Sequence, residues 1–138
     1  MIKIAIIDPS AISRSLLTTL LTNGGHDVVG DSNTSPAGLT RILKLKPQVI
    51  CIDIGNPADG GLAMLDTIRE ALPKTLIFLV SSELSSDTVT AAVAIGVHGF
   101  IVKPYNAERV LSTIRNVVIK IARQQKKSNE TTEQTSEP

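Results

Sequence analysis

Asp8, Asp53, Ser81 and Lys103 each stand at the end of a short apolar run. Together they form a complementary set of two carboxylates, one hydroxyl and one ammonium. Two carboxylates brought close repel each other and attract a hard divalent cation such as Mg²⁺, which prefers oxygen ligands. A centrally held carboxylate can act as a nucleophile toward phosphorus and form an acyl phosphate. An ammonium beside it neutralises the incoming charge, and a hydroxyl donates a hydrogen bond to a phosphoryl oxygen. A purely structural role uses the same residues differently: the acids cap loops, and Lys103 pairs with them.

The set matters only if the chain brings these four positions together. Apolar runs at Ile4–Ile7, Val28–Val29, Val49–Ile52, Leu76–Val80 and Phe100–Val102 are the candidate strands. The third and fourth are almost wholly apolar, as strands buried on both faces of a parallel sheet must be. Helix signals lie between them. Ser10 can cap a helix that runs to Asn23 and stops at Gly24-Gly25. Thr34 or Ser35 can cap the second, with Pro36 in its first turn and Pro47 beyond its end. The third runs from Gly61 to Ala71. Ser85 or Ser86 opens the fourth, which Gly96 ends. Asn106 opens the fifth, with Glu108 in its first turn, where an acid suits the helix dipole. That helix carries a core-facing stripe at Val110, Ile114, Val117 and Ile121, and Ile119 falls off it.

Strand–helix alternation repeated five times predicts an α/β fold: a doubly wound, five-stranded parallel sheet of order 2-1-3-4-5. Ligands of such sheets bind beyond the carboxyl ends of the strands, at the switch in strand order between the first and third. All four residues follow strands, so they converge on that rim. His26 and His98 precede strands and fall at the opposite rim.

Composition narrows the function classes. The 138 residues carry a net charge of +1 and 2% aromatics, which gives neither a polyanion surface nor a stacking platform for nucleic acid. Cys51 is the only cysteine and sits in an apolar run, as a buried thiol would. No apolar stretch approaches the ~20 residues of a membrane helix, and a lone cysteine fits a reducing compartment. A soluble cytoplasmic protein is expected. From residue 124 the chain turns polar, which suggests a domain over residues 1–123 and a disordered tail or start of a linker over 124–138.

Four segments, read in order, are similar to one family. "IAIIDPSAISRSLL", "PQVICIDIGNPADGGLAML", "LIFLVSSE" and "GVHGFIVKPY" resemble the receiver domain of two-component response regulators, of the chemotaxis-type single-domain kind. The likeness spans residues 2–122, and it is the joint order and spacing that is specific. The resemblance implies the flavodoxin-like receiver fold and a phosphorelay role rather than an enzyme. Asp53 would be phosphorylated by a histidine kinase or a phosphotransfer protein. Mg²⁺ would be held by Asp8, Asp53 and the backbone carbonyl of Gly55. Lys103 would contact the phosphoryl oxygens, and Ser81 and Phe100 would move together as the switch. The Lys103–Pro104 bond would be cis. Output would pass through the fourth helix, fifth strand and fifth helix to a downstream protein target or a homodimer, with no nucleic acid and no membrane involved.

The sequence departs from the family in one place. The acidic pair after the first strand is here Asp8-Pro9, and proline supplies no carboxylate. Mg²⁺ should therefore bind weakly, and Pro9→Asp should strengthen it. Asp59 and Glu83 are read as solvated loop acids. The departure keeps a second reading open, a pseudo-receiver acting as a phosphorylation-independent interaction module. A small doubly wound cofactor-binding protein or enzyme is a third, but the chain lacks G-x-G-x-x-G and a phosphate-cradling loop after the first strand.

Overall fold

The structure is a computed structural model that describes residues 1–136, with side chains to residue 128. Five strands alternate with helices: β1 (Lys3–Ile7), α1 (Ala11–Asn23), β2 (Asp27–Ser32), α2 (Pro36–Leu45), β3 (Val49–Ile52), α3 (Gly61–Ala71), β4 (Leu76–Ser81), α4 (Ser86–Ile95), β5 (Gly99–Val102) and α5 (Ala107–Ser136). A single 3-10 turn, Pro57–Asp59, precedes α3. All strand pairs are parallel and the order is β2-β1-β3-β4-β5. The expected doubly wound topology is therefore the one present.

Strand side chains alternate between two cores. Ala5, Ile7, Ile50, Ile52, Ile77 and Leu79 pack with Ile42 of α2, Leu65 and Ile68 of α3 and Ala92 of α4. Ile4, Ile6, Val49, Cys51, Phe78 and Val80 pack with Leu17 and Leu21 of α1 and Val110 and Ile114 of α5. Two-sided burial of this kind explains why β3 and β4 read as unbroken apolar runs. It also pushes the Cys51 thiol up to about 12, as expected for an inert buried cysteine.

The capping residues act as their types require. Ser10, Ser35 and Ser85 accept hydrogen bonds from the backbone N–H three residues on, and Asn106 accepts from Arg109 N. Gly96 closes α4 at φ 114°, a conformation that favours glycine.

Two elements differ from the sequence reading. β2 runs to Ser32, well beyond Val28–Val29, because this edge strand is held by backbone pairing to β1 while Gly30, Asp31 and Ser32 hide the apolar signal. α5 runs past residue 123, where the polar stretch begins, to Ser136. No Gly or Pro interrupts residues 107–136, and the stretch from 124 is rich in Gln, Lys and Glu, which favour helix without apolar burial. Residues 137 and 138 lie outside the described residues.

Candidate functional site at the carboxyl rim

β1 and β3 are neighbours, and each delivers an acid at the residue after its last ladder position. Asp53 N donates to Ile7 O at 2.8 Å, and Asp8 N donates to Ser32 O at 2.9 Å, so both backbones are fixed by the sheet. β5 delivers Lys103, whose N–H donates to Ser81 O at 2.9 Å. The Lys103–Pro104 peptide is cis, as the resemblance implied.

The Lys103 ammonium lies 2.7 Å from Asp53 Oδ2 and 2.9 Å from Asp8 Oδ2. Asp8 is almost fully buried, with its side chain 2% exposed, whereas Asp53 keeps 15%. The remaining oxygens are also bonded. Asp8 Oδ1 accepts from Ser10 N and Asp53 Oδ1 from Gly55 N, both at 2.8 Å. Partial burial pulls the Lys103 pKa down, but the hydrogen bonds it donates to Asp53 and Asp8 and the charges of those acids outweigh it and hold it above the usual lysine value.

Ser81 ends β4, but its hydroxyl serves its own loop. It donates to Glu83 O at 2.7 Å and accepts from Glu83 N at 3.2 Å. Ser81 and Gly55 line one cavity of about 340 Å³ between the loops after β3 and β4. Phe100 is partly buried against the core on the α2–α4 side of the sheet. The two histidines stand at the amino ends of β2 and β5, away from this rim.

Two supports escape the sequence reading. Tyr105 Oη lies 2.8 Å from Ser13 Oγ, which ties the segment after Lys103 to α1. A signal is present, because Ser13 falls at the i, i+4, i+8 positions of the buried stripe it shares with Leu17 and Leu21. Arg14 donates to the Asp8 carbonyl at 2.7 Å and pairs with Asp31 at 3.5 Å.

A hard divalent cation would look for oxygen donors here. Asp8, Asp53 and the Gly55 carbonyl are of the right kind. Pro9 supplies none, and all four carboxylate oxygens are already bonded within the chain. Among the described residues no group of three or more His, Cys, Asp or Glu side chains is placed to hold a metal. The resident donor set therefore fits a tightly bound metal poorly.

An acid at the end of the central strand, salt-bridged to a lysine at the end of β5, can be compared with known proteins. The family model described as response regulator receiver domain matches residues 4–115. The chain belongs to this family.

This receiver is 27% identical over 115 residues to the chemotaxis protein CheY of Thermotoga maritima, covering 83% of this chain and 96% of that protein. It is 32% identical over 120 residues to a protein-glutamate methylesterase/protein-glutamine glutaminase of Archaeoglobus fulgidus, covering 86% of this chain but only 34% of that relative. Among solved structures, the chemotaxis protein CheY4 of Vibrio cholerae superposes with a TM-score of 0.73 at 25% identity, covering 85% of this chain and 98% of that one. Among the described residues no helix is long and apolar enough to cross a membrane.

Proposed function

We propose that this receiver accepts a phosphoryl group on Asp53 from a histidine kinase or a phosphotransfer protein in the cytoplasm. The observation that carries the reading is the Lys103 ammonium 2.7 Å from Asp53 Oδ2, at the rim where an open parallel sheet binds ligands. A carboxylate oxygen of Asp53 attacks phosphorus, the new P–O bond forms, and the P–N bond to the donor imidazole breaks. Lys103 is already within reach of the oxygens that gain charge. Asp8 holds Lys103 from the other side.

The phosphoryl group adds roughly −1.5 to −2 charge. It competes for the Ser81 hydroxyl, which then exchanges its bond to the Glu83 carbonyl for one to a phosphoryl oxygen. Phe100 moves with the vacated loop, and the face of α4, β5 and α5 carries the change to a downstream protein target or a second copy of the chain. The receiver unit comprises residues 1–123, and residues 124–138 serve as a tail or the start of a linker. The chain acts as a signalling module and not as an enzyme. Mg²⁺, if engaged through Asp8, Asp53 and the Gly55 carbonyl, binds weakly.

Pro9 and the internally satisfied carboxylates favour one rival, a pseudo-receiver that binds partners without being phosphorylated. Acetyl phosphate treatment followed by intact mass separates the two readings. The expected result is a labile adduct of about 80 Da, the mass of a phosphoryl group, on the native chain and none on Asp53→Asn. No adduct on the native chain, or one that survives in the variant, refutes phosphorylation at Asp53.

A further inference from the structure

We propose that the amino rim of the sheet carries a second site, a groove beneath the overhanging end of α5 that binds a small amphiphile with one anionic head, of the medium-chain carboxylate class. This site stands apart from the acceptor rim, which lies beyond the other ends of the strands.

α5 runs back along β5 and is longer than the strand it covers. A Cβ at Gly99, the first residue of β5, would meet Val117 at 3.5 Å, so the helix has reached the amino edge of the sheet by that point. The turns after Val117 overhang it. Val110 and Ile114 are buried in the core, and Val118 packs at its margin. Ile121, the next apolar residue of the same stripe, packs into neither core. It lines a cavity of about 690 Å³ instead, beside Val118, Ala122 and Gln125. That volume falls in the range of small-molecule pockets, roughly 300–1,000 Å³.

The facing wall is made by the loops that lead into β3 and β4. Thr75 Oγ1 donates to Pro47 O at 2.8 Å, and Leu76 N donates to Gln48 O at 3.0 Å, so the two loops are stapled side by side. Ile2, Leu72 and Pro73 extend the apolar lining.

Charge selects the occupant. The residue before Pro47 and the residue before Thr75 are both lysines. Among the described residues that line the cavity, Lys46 and Lys74 are the charged ones, and no acid joins them. Neither is paired with an acid among the described residues. Both are exposed, so their flexible stems can carry the ammonium groups over the edge of the groove. Apolar walls with a cationic edge suit a ligand that has an apolar body and an anionic head. A protein partner would need a patch of about 800 Å², and a bilayer would need apolar groups that project outward. Here those groups line a concavity between one helix and two loops.

The test is calorimetric titration of the native chain with decanoate, below its micelle concentration, together with amide chemical shifts. Decanoate is expected to bind one per chain, with shifts centred on Gln48, Leu76 and Ile121 and not on Asp53. 1-Decanol, which has the same chain without the charge, is expected to bind more weakly. The exposed double substitution Lys46→Gln/Lys74→Gln is expected to weaken decanoate binding roughly fivefold or more. Ala122→Trp, also at an exposed position, fills the groove and is expected to abolish it. Absence of decanoate binding, equal affinity for decanol, or unchanged affinity in either variant overturns the proposal. So does engagement of these residues by an acidic peptide or by anionic lipid vesicles when decanoate fails to bind. No phosphoryl transfer is involved, so the outcome is independent of the acetyl phosphate experiment.

Discussion

The hydrogen bond between Tyr105 and Ser13 can be weighed by removing each hydroxyl in turn. Tyr105 is half-buried and Ser13 is buried, and their oxygens are 2.8 Å apart. Burial raises the phenol above its usual value, so it is un-ionised at neutral pH. A neutral hydrogen bond contributes about 0.5–1.5 kcal/mol net, and a buried partner left unpaired costs about 1–3 kcal/mol. Tyr105→Phe removes one oxygen and leaves packing nearly intact, so a loss of about 1 kcal/mol is expected. Ser13→Ala should cost about the same. Because both variants remove one interaction, the double variant should lose little more than either single, a coupling of about 1 kcal/mol. Urea unfolding followed by circular dichroism measures all four proteins, and the slope should stay constant while the midpoint moves. For a domain of this size the thermal midpoint should fall by roughly 3–6 °C in each single variant. If the two losses simply add, the hydroxyls do not act as a pair, and the account of Lys103 as anchored through α1 fails.

Arg69 donates to the carbonyls of Gly96, Leu72 and Thr75 at 3.1, 2.7 and 2.7 Å, joining the end of α3 to the start of β4 and the end of α4. Arg69→Met keeps the stem but leaves those carbonyls without their donor, and should cost about 2–4 kcal/mol in urea unfolding; a loss under about 1 kcal/mol would show that water replaces it. His98 Nδ1 accepts from Ile77 N at 3.2 Å, and burial, then the Arg69 charge, lowers its pKa below the ordinary 6.5. The unfolded chain then takes up this proton first as pH falls, so stability is complete above about pH 6.5 and declines below it. His98→Asn keeps an acceptor without that titration and should flatten the decline between about pH 7 and pH 5; parallel curves for both proteins would exclude His98 as the source.

The strands and four of the helices are legible in the sequence because their signals are local. Apolar runs, serine caps and the prolines and glycines that stop helices are each set by a few adjacent residues. β2 reads short because an edge strand with polar residues is defined by its partner rather than by its own pattern. The end of α5 is hidden because the polarity of its last turns suggests loop, while their helix propensity points the other way. At the site, strand-end position is enough to bring Asp8, Asp53 and Lys103 together. The same position places Ser81 on the rim, but a one-residue motif cannot reveal that its hydroxyl is turned onto the Glu83 backbone. The tie between Ser13 and Tyr105 spans 92 positions and needs the topology before either residue acquires a meaning.

β3 is flanked on both edges, by β1 and by β4, while β5 has a ladder partner on one side only. Local opening is cheapest where fewest backbone bonds must break, so hydrogen exchange should be slowest along β3 and faster along β5. Asp53 therefore follows a strand with partners on both sides, whereas Phe100 and Lys103 are carried on or just after a border strand, and that difference in exchange is what the measurement would read.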